Sequence, residues 1–79
     1  MDKVSELIKL IASSLVDKPE EVEIQEISGD STTVYELKVA QEDLGKIIGK
    51  QGKTAKAIRV LLGAAAAKEK RRAVLEIIE

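Results

Sequence analysis

Residues 45–59, GKIIGKQGKTAKAIR, bring three glycines, four lysines and one arginine into fifteen positions. Such a stretch could cradle the phosphates of a nucleotide, grip a nucleic-acid backbone, or merely turn the chain between two helices. A nucleotide-binding P-loop requires G-x-x-x-x-G-K-[ST] directly after a strand. With Gly52, Lys53 and Thr54 as its tail, the first glycine would stand at position 47, which is Ile47. The residues before it read as helix, and the chain is short for a nucleotide-binding α/β domain. The remaining feature is Gly49-Lys50-Gln51-Gly52. A plain turn of this length also wants glycine where φ is positive. Three features point beyond a turn. Glycine at both ends lets another backbone come close. The segment leads into a helix N-terminus, whose free N–H groups and positive dipole end attract phosphate. Five cations surround it, Lys46, Lys50, Lys53, Lys56 and Arg59.

Other chemistry is poorly supplied. The chain has no histidine and no cysteine, so the usual general base, zinc ligands, thiol nucleophile and disulfides are missing. Ser13 and Ser14 have no base partner. Glu20, Glu21, Glu23 and Glu26 could be imagined as a cation site, but alternation turns Glu21 and Glu23 toward solvent on a strand. No enzyme, no cofactor and no metal are expected.

Charge is distributed unevenly. Residues 1–43 carry four basic and eleven acidic side chains, a balance of −7, and residues 44–72 carry nine basic and one acidic, a balance of +8. Residues 73–79 add −2, which gives the net charge of −1. A local basic face matters more to a phosphate backbone than the net value, because charges are felt over a Debye length of about 10 Å. The longest apolar run, Val60–Ala67, has eight residues, too few to span a bilayer. The start, MDKVSELIKL, has acids where a signal peptide has a basic region. These features predict a cytoplasmic protein, complete as it stands.

Periodicity supplies the elements that must position the glycine segment. Val4, Leu7, Ile8, Ile11 and Leu15 form a helical stripe suited to core packing, and the helix ends at Asp17-Lys18-Pro19. Val22 and Ile24 alternate with Glu21, Glu23 and Gln25 as a half-buried strand. A turn at Gly29-Asp30 leads to a second strand with Tyr35, Leu37 and Val39 inward, antiparallel to the first. QEDLGKII reads as a short helix, with Glu42 and Asp43 favoured by its dipole and Leu44, Ile47 and Ile48 facing the core. A longer helix runs from about Lys53 to about Lys70 with Ala55, Ile58, Leu62, Ala65 and Ala66 inward, and AVLEII closes the chain as a strand. An α+β domain follows, helices packed on one face of a three-stranded sheet.

IIGKQGKTAKAIR, in this order of elements, closely resembles the isoleucine-glycine-x-x-glycine signature of the KH domain. The added helix and strand before it are similar to the type II, prokaryotic variant, and SLVDKPEEVEI and LGKIIGKQGK extend the likeness to small bacterial single-KH RNA-binding proteins. The resemblance covers the chain and implies one KH domain over residues 1–79, with its GxxG loop at 49–52. It implies the type II KH fold, α-β-β-α-α-β, with three helices on one face of a mixed sheet. It further implies a clamp on about four nucleotides of single-stranded RNA, with single-stranded DNA as the alternative. Gly49, Lys50, Gln51 and Gly52 would take the backbone, with Lys46 and Lys53 adding charge. Ile48, Ala55 and Ile58 would floor a groove unless they are core, and Lys56 and Arg59 would reach bases or phosphates.

Two departures stand out: Ala55 occupies a position that is often isoleucine, and Gln41 one that is often proline. Tyr35 is the single aromatic residue, so no stacking platform is available. Lys68, Lys70, Arg71 and Arg72 either extend an RNA track or only complement a helix C-terminus. By resemblance, the protein is an RNA chaperone or post-transcriptional regulator. It would act with a larger KH-containing RNA-binding protein and be linked to cell-envelope homeostasis and cell length. A homodimer is a further expectation, and no membrane partner is expected. The competing reading is a protein-interaction module with a vestigial loop, suggested by the small residues Gly63–Ala67.

Overall fold

The computed structural model describes residues 2–79. The first helix, α1, spans Lys3–Leu15. Asp2 caps it, accepting from the Ser5 N–H at 2.8 Å. The same carboxylate accepts from the Tyr35 hydroxyl at 2.8 Å. Burial, and then the bond to Asp2, pushes the Tyr35 pKa up to about 12. One side chain thus starts the helix and ties it to the middle of the sheet.

The helix buries Val4, Ser5, Ile8 and Ala12. Leu15 is expected in this stripe, but it is 39% exposed, and Val16, just past the helix end, turns inward in its place. Leu15 is the last helical residue, and the extended backbone at Val16 turns that next side chain inward to fill the core at this end. Pro19 then opens a short 3-10 turn, Pro19–Glu21.

Strand β1 (Glu23–Ser28) pairs antiparallel with β2 (Thr32–Lys38), and Tyr35 stands opposite Glu26. Strand β3 (Arg72–Ile77) pairs parallel with β2, so the order across the sheet is β1-β2-β3. Parallel pairing requires a crossover. Here it is made by α2 (Leu44–Ile48) and α3 (Lys53–Lys68), which return the chain over the face that α1 also covers. The three helices and the mixed sheet match the expected α-β-β-α-α-β order.

The core lies between these layers. Thr33, Tyr35 and Leu37 of β2 and Leu75 of β3 meet Ile8 and Ala12 of α1 and Ile58, Leu62 and Ala66 of α3. Full burial of one Ile or Leu is worth about 1.5–3 kcal/mol. Ile47, at 0% exposure, pins the short helix α2 to the same core. A five-residue helix has little stability of its own, so this anchor is what sets the loop after it. Among the described residues, no helix is long and apolar enough to cross a membrane.

Candidate nucleic-acid interface

The loop Gly49–Gly52 connects α2 to α3 through a 3-10 turn at Lys50–Gly52. Its two glycines are needed for different reasons. Gly49 has φ 77° and ψ 171°, a region that is essentially glycine's alone. A Cβ there would also lie 2.8 Å from the Thr54 backbone nitrogen and overlap the Thr54 side chain. Gly52 has φ 73° and ψ 11°, left-handed helical, and a Cβ there would meet nothing within 4 Å. Gln51 also has positive φ, 57°.

The local hydrogen bonds hold the loop at its ends and leave its tip open. The Gly49 N–H donates to the Gly45 carbonyl at 2.8 Å, and the Gly52 N–H to the Gly49 carbonyl at 3.1 Å. The latter bond is the first of the 3-10 turn, so the Lys50 and Gln51 N–H groups precede it and have no partner within the turn. Gly52 leads into α3 with no side-chain cap at the helix start. Unpaired donors and a positive dipole end are thus presented together.

The basic residues divide into two groups. Lys50, Lys53 and Lys56 are exposed and make no ion pair or side-chain hydrogen bond among the described residues. Lys46, expected to add charge at the loop, has its ammonium 3.0 Å from Asp17 and 3.2 Å from Asp43. The bonds to Asp17 and then Asp43 raise its pKa. Its charge is therefore directed back toward the end of α1. Arg59 is exposed, and its guanidinium donates to the Leu75 carbonyl at 3.4 Å.

The apolar residues also divide. Ile48 is half-buried beside the loop, whereas Ala55 and Ile58 are each 3% exposed and face the core. Ala55 and Ile58 thus support the loop from beneath and offer no open floor. Their spacing on α3 is that of core positions, a choice the sequence alone left open.

Asp43 is the residue whose role sequence reasoning missed. An acid in a first helical turn reads as a dipole partner. It is instead fully buried and accepts from the Asp17 N–H at 3.2 Å and the Lys18 N–H at 3.0 Å. Burial alone would raise its pKa. These two N–H groups and the Lys46 ammonium outweigh that, and the net shift is downward. Nearby, Lys18 and Glu42 pair at 2.8 Å on the surface. No local signal marks Asp43, because its partners lie 25 and 26 residues earlier in the chain.

The family model for the KhpA/KhpB KH domain matches residues 5–77. A protein named RNA-binding protein KhpA from Caldanaerobacter subterraneus subsp. tengcongensis is 57% identical over 75 residues, covering 95% of this chain and all of the relative. One of the same name from Clostridium perfringens is 55% identical over 75 residues, with the same coverage. Another, from Chlamydia trachomatis serovar D, is 50% identical over 76 residues, covering 96% of this chain and 97% of the relative. No solved structure matches the chain significantly.

Proposed function

Since this chain belongs to the KhpA/KhpB KH-domain family, we propose that it binds single-stranded RNA at Gly49–Gly52 and performs no catalysis. The observation that carries this reading is the loop tip. Two N–H groups that precede the turn's first hydrogen bond stand there, among lysines that no carboxylate engages. The Lys50 and Gln51 N–H groups take phosphate oxygens, and the bare Cα of Gly49 and Gly52 lets the strand approach. Lys50 and Lys53 supply charge, with Lys56 along the helix; Ile48 offers an apolar contact. Lys46 contributes less, because Asp17 and Asp43 already hold it.

Phosphate contacts position a strand without reading its sequence. A single module should bind weakly, with loose sequence preference and steep salt dependence. Residues 1–79 act as one KH module, in the cytoplasm, as an RNA chaperone or post-transcriptional regulator. A larger KH-containing protein is its partner, with effects on cell-envelope homeostasis and cell length. Changing Lys50 and Gln51 together to aspartate tests the RNA reading. RNA crosslinking should be abolished with the melting temperature unchanged; full recovery of RNA by the folded variant would sink it.

One observation favours an additional association role. On the outer side of α3, Val60 is 68% and Leu61 is 52% exposed, beside exposed Ala57 and Ala64. A cluster of apolar side chains on one helix face suits a second copy or the larger partner. Leu61→Asp should then shift the sedimentation coefficient toward that of a monomer and leave crosslinking to RNA intact. Should the same protein lose the partner but keep RNA in the Lys50/Gln51 variant, interaction would be its main role.

A further inference from the structure

The cations not used at the loop are concentrated at the other end of α3. Lys68 is the last residue of the helix, Lys70 lies in the turn with φ 57°, and Arg72 opens β3. All three are exposed, and none forms an ion pair or side-chain hydrogen bond among the described residues. Arg71 differs from them, since its guanidinium donates to the buried Thr33 hydroxyl. The acids nearby are Glu69, Asp30 and Asp2. Glu69 and Asp30 form no ion pair among the described residues. Asp2, which shares a small depression with Glu69, Arg71 and Arg72, is taken up by the Ser5 N–H and the Tyr35 hydroxyl. Lys3 adds a fourth cation: an open depression of about 340 Å³ is lined by Lys3, Val4, Ala65, Lys68 and Glu69.

A helix C-terminus attracts a cation in its last turn. That accounts for Lys68 alone. Arg72 lies beyond the turn, and its backbone N–H is already bonded to the Ser31 carbonyl at 3.0 Å. Three cations held within five residues of one another repel, and no carboxylate pairs with any of them among the described residues. An external polyanion would offset that repulsion.

The surface between the two ends of α3 fits such a ligand. The helix has 16 residues, about 24 Å at about 1.5 Å per residue. Lys53, Lys56, Val60, Gly63 and Ala67 follow one another at steps of three and four, so they line one side of it. All five are exposed, and Gly63 has open space where a side chain would be. No acidic residue occurs from Leu44 to Lys68. A strand leaving the loop therefore meets a helix side free of negative charge and, over its second half, of bulk.

We propose that Lys68, Lys70 and Arg72 form a second phosphate-contact site, reached along this side of α3 by RNA longer than the loop's own footprint. This rests on the RNA-binding reading of Gly49–Gly52, and it adds a claim about length. The loop clamps about four nucleotides; the second site engages only strands that extend past it.

The test changes Lys68, Lys70 and Arg72 together to glutamine and measures affinity for an RNA of about five nucleotides and one of about twenty. Each single-strand phosphate deprived of its cation lowers the salt slope by about 0.7, so the slope for the long RNA should fall by about 2. Its affinity should drop about tenfold near physiological salt, with the short RNA unaffected. Equal losses on both RNAs would mean that the cluster acts only through its general field, and would overturn the proposal. Unchanged affinity for the long RNA would overturn it too, while the loop reading stands if the Lys50/Gln51 double aspartate still abolishes binding. If that double aspartate leaves both RNAs bound, the loop reading fails and the second site falls with it.

Discussion

At one corner of the molecule, where α1 ends and α2 begins, Lys18 and Lys46 face Glu42, Asp17 and Asp43 at 2.8–3.2 Å. At the neighbouring corner, Lys50, Lys53 and Lys56 face no carboxylate. The residue types are the same and the sequence distance is a few positions. The difference is what each lysine finds across from it. In the first corner, the chain has folded its acidic part against the start of its basic part. The buried carboxylate of Asp43 there satisfies backbone donors that would otherwise be lost. In the second corner no carboxylate pairs with the lysines among the described residues, so the charge stays available to a ligand. An acid-free run from Leu44 to Lys68 is useful for binding only where the rest of the fold does not bring acids to it.

Four comparisons would break or sharpen this contrast. The largest effects on the fold are expected at Asp43 and Gly49. Asp43→Ala removes the buried acceptor from the part-buried Asp17 and Lys18 N–H groups, which should lower the melting temperature by about 5 °C by calorimetry. A variant that melts as the wild type does would show that these bonds are not what joins the corner.

Gly49→Ala comes next. It combines a forbidden φ/ψ with a clash against Thr54, so a melting-temperature loss of about 5 °C should accompany loss of RNA crosslinking. Gly52→Asn is the contrasting case. Asparagine tolerates the left-handed region and has free space here, so the loss should be about 2 °C or less. Equal losses at the two glycines would erase the distinction between a steric and a merely conformational requirement.

For RNA affinity by anisotropy, Lys53→Gln should weaken binding about threefold and Lys46→Gln by less than about twofold. The reverse ranking would mean that Lys46 leaves Asp17 and Asp43 when RNA arrives.

The smallest effect concerns pH. The folded pKa of Asp43 lies below its unfolded value. Its share of stability is therefore present above the unfolded value, about 3.9, and is lost as pH falls through the folded one. Between about pH 6 and about pH 3, urea melts should show the wild type losing more stability than Asp43→Asn. Parallel losses would assign the acid sensitivity to other carboxylates, such as Asp2, whose pKa is also lowered.

Much of the fold could be read from local pattern. Alternation gave the hairpin through Ile24, Tyr35 and Leu37, although Val22 and Val39 lie just outside the two strands and Glu21 lies in the 3-10 turn. Spacing along Ala55, Ile58, Leu62 and Ala66 gave the inner side of α3. These succeed because burial imposes a period on each element separately. The limits of α3 were legible to within two residues, the helix running from Lys53 to Lys68, but Leu15 at the end of α1 left the stripe. A terminal residue's surroundings depend on the next element.

The sequence by itself determined that the loop needs glycine, that its surroundings are basic, and that no histidine or cysteine chemistry occurs. Residue type and close spacing carry those facts. Only the tertiary structure decided which cations are free. Lys46 meets Asp17 and Asp43, Ala55 and Ile58 go into the core, and Lys68, Lys70 and Arg72 stay uncommitted. Asp43 and the backbone it caps are separated by 25 and 26 residues. An electrostatic partner at that range is set by how the helices pack on the sheet, and no local pattern encodes it.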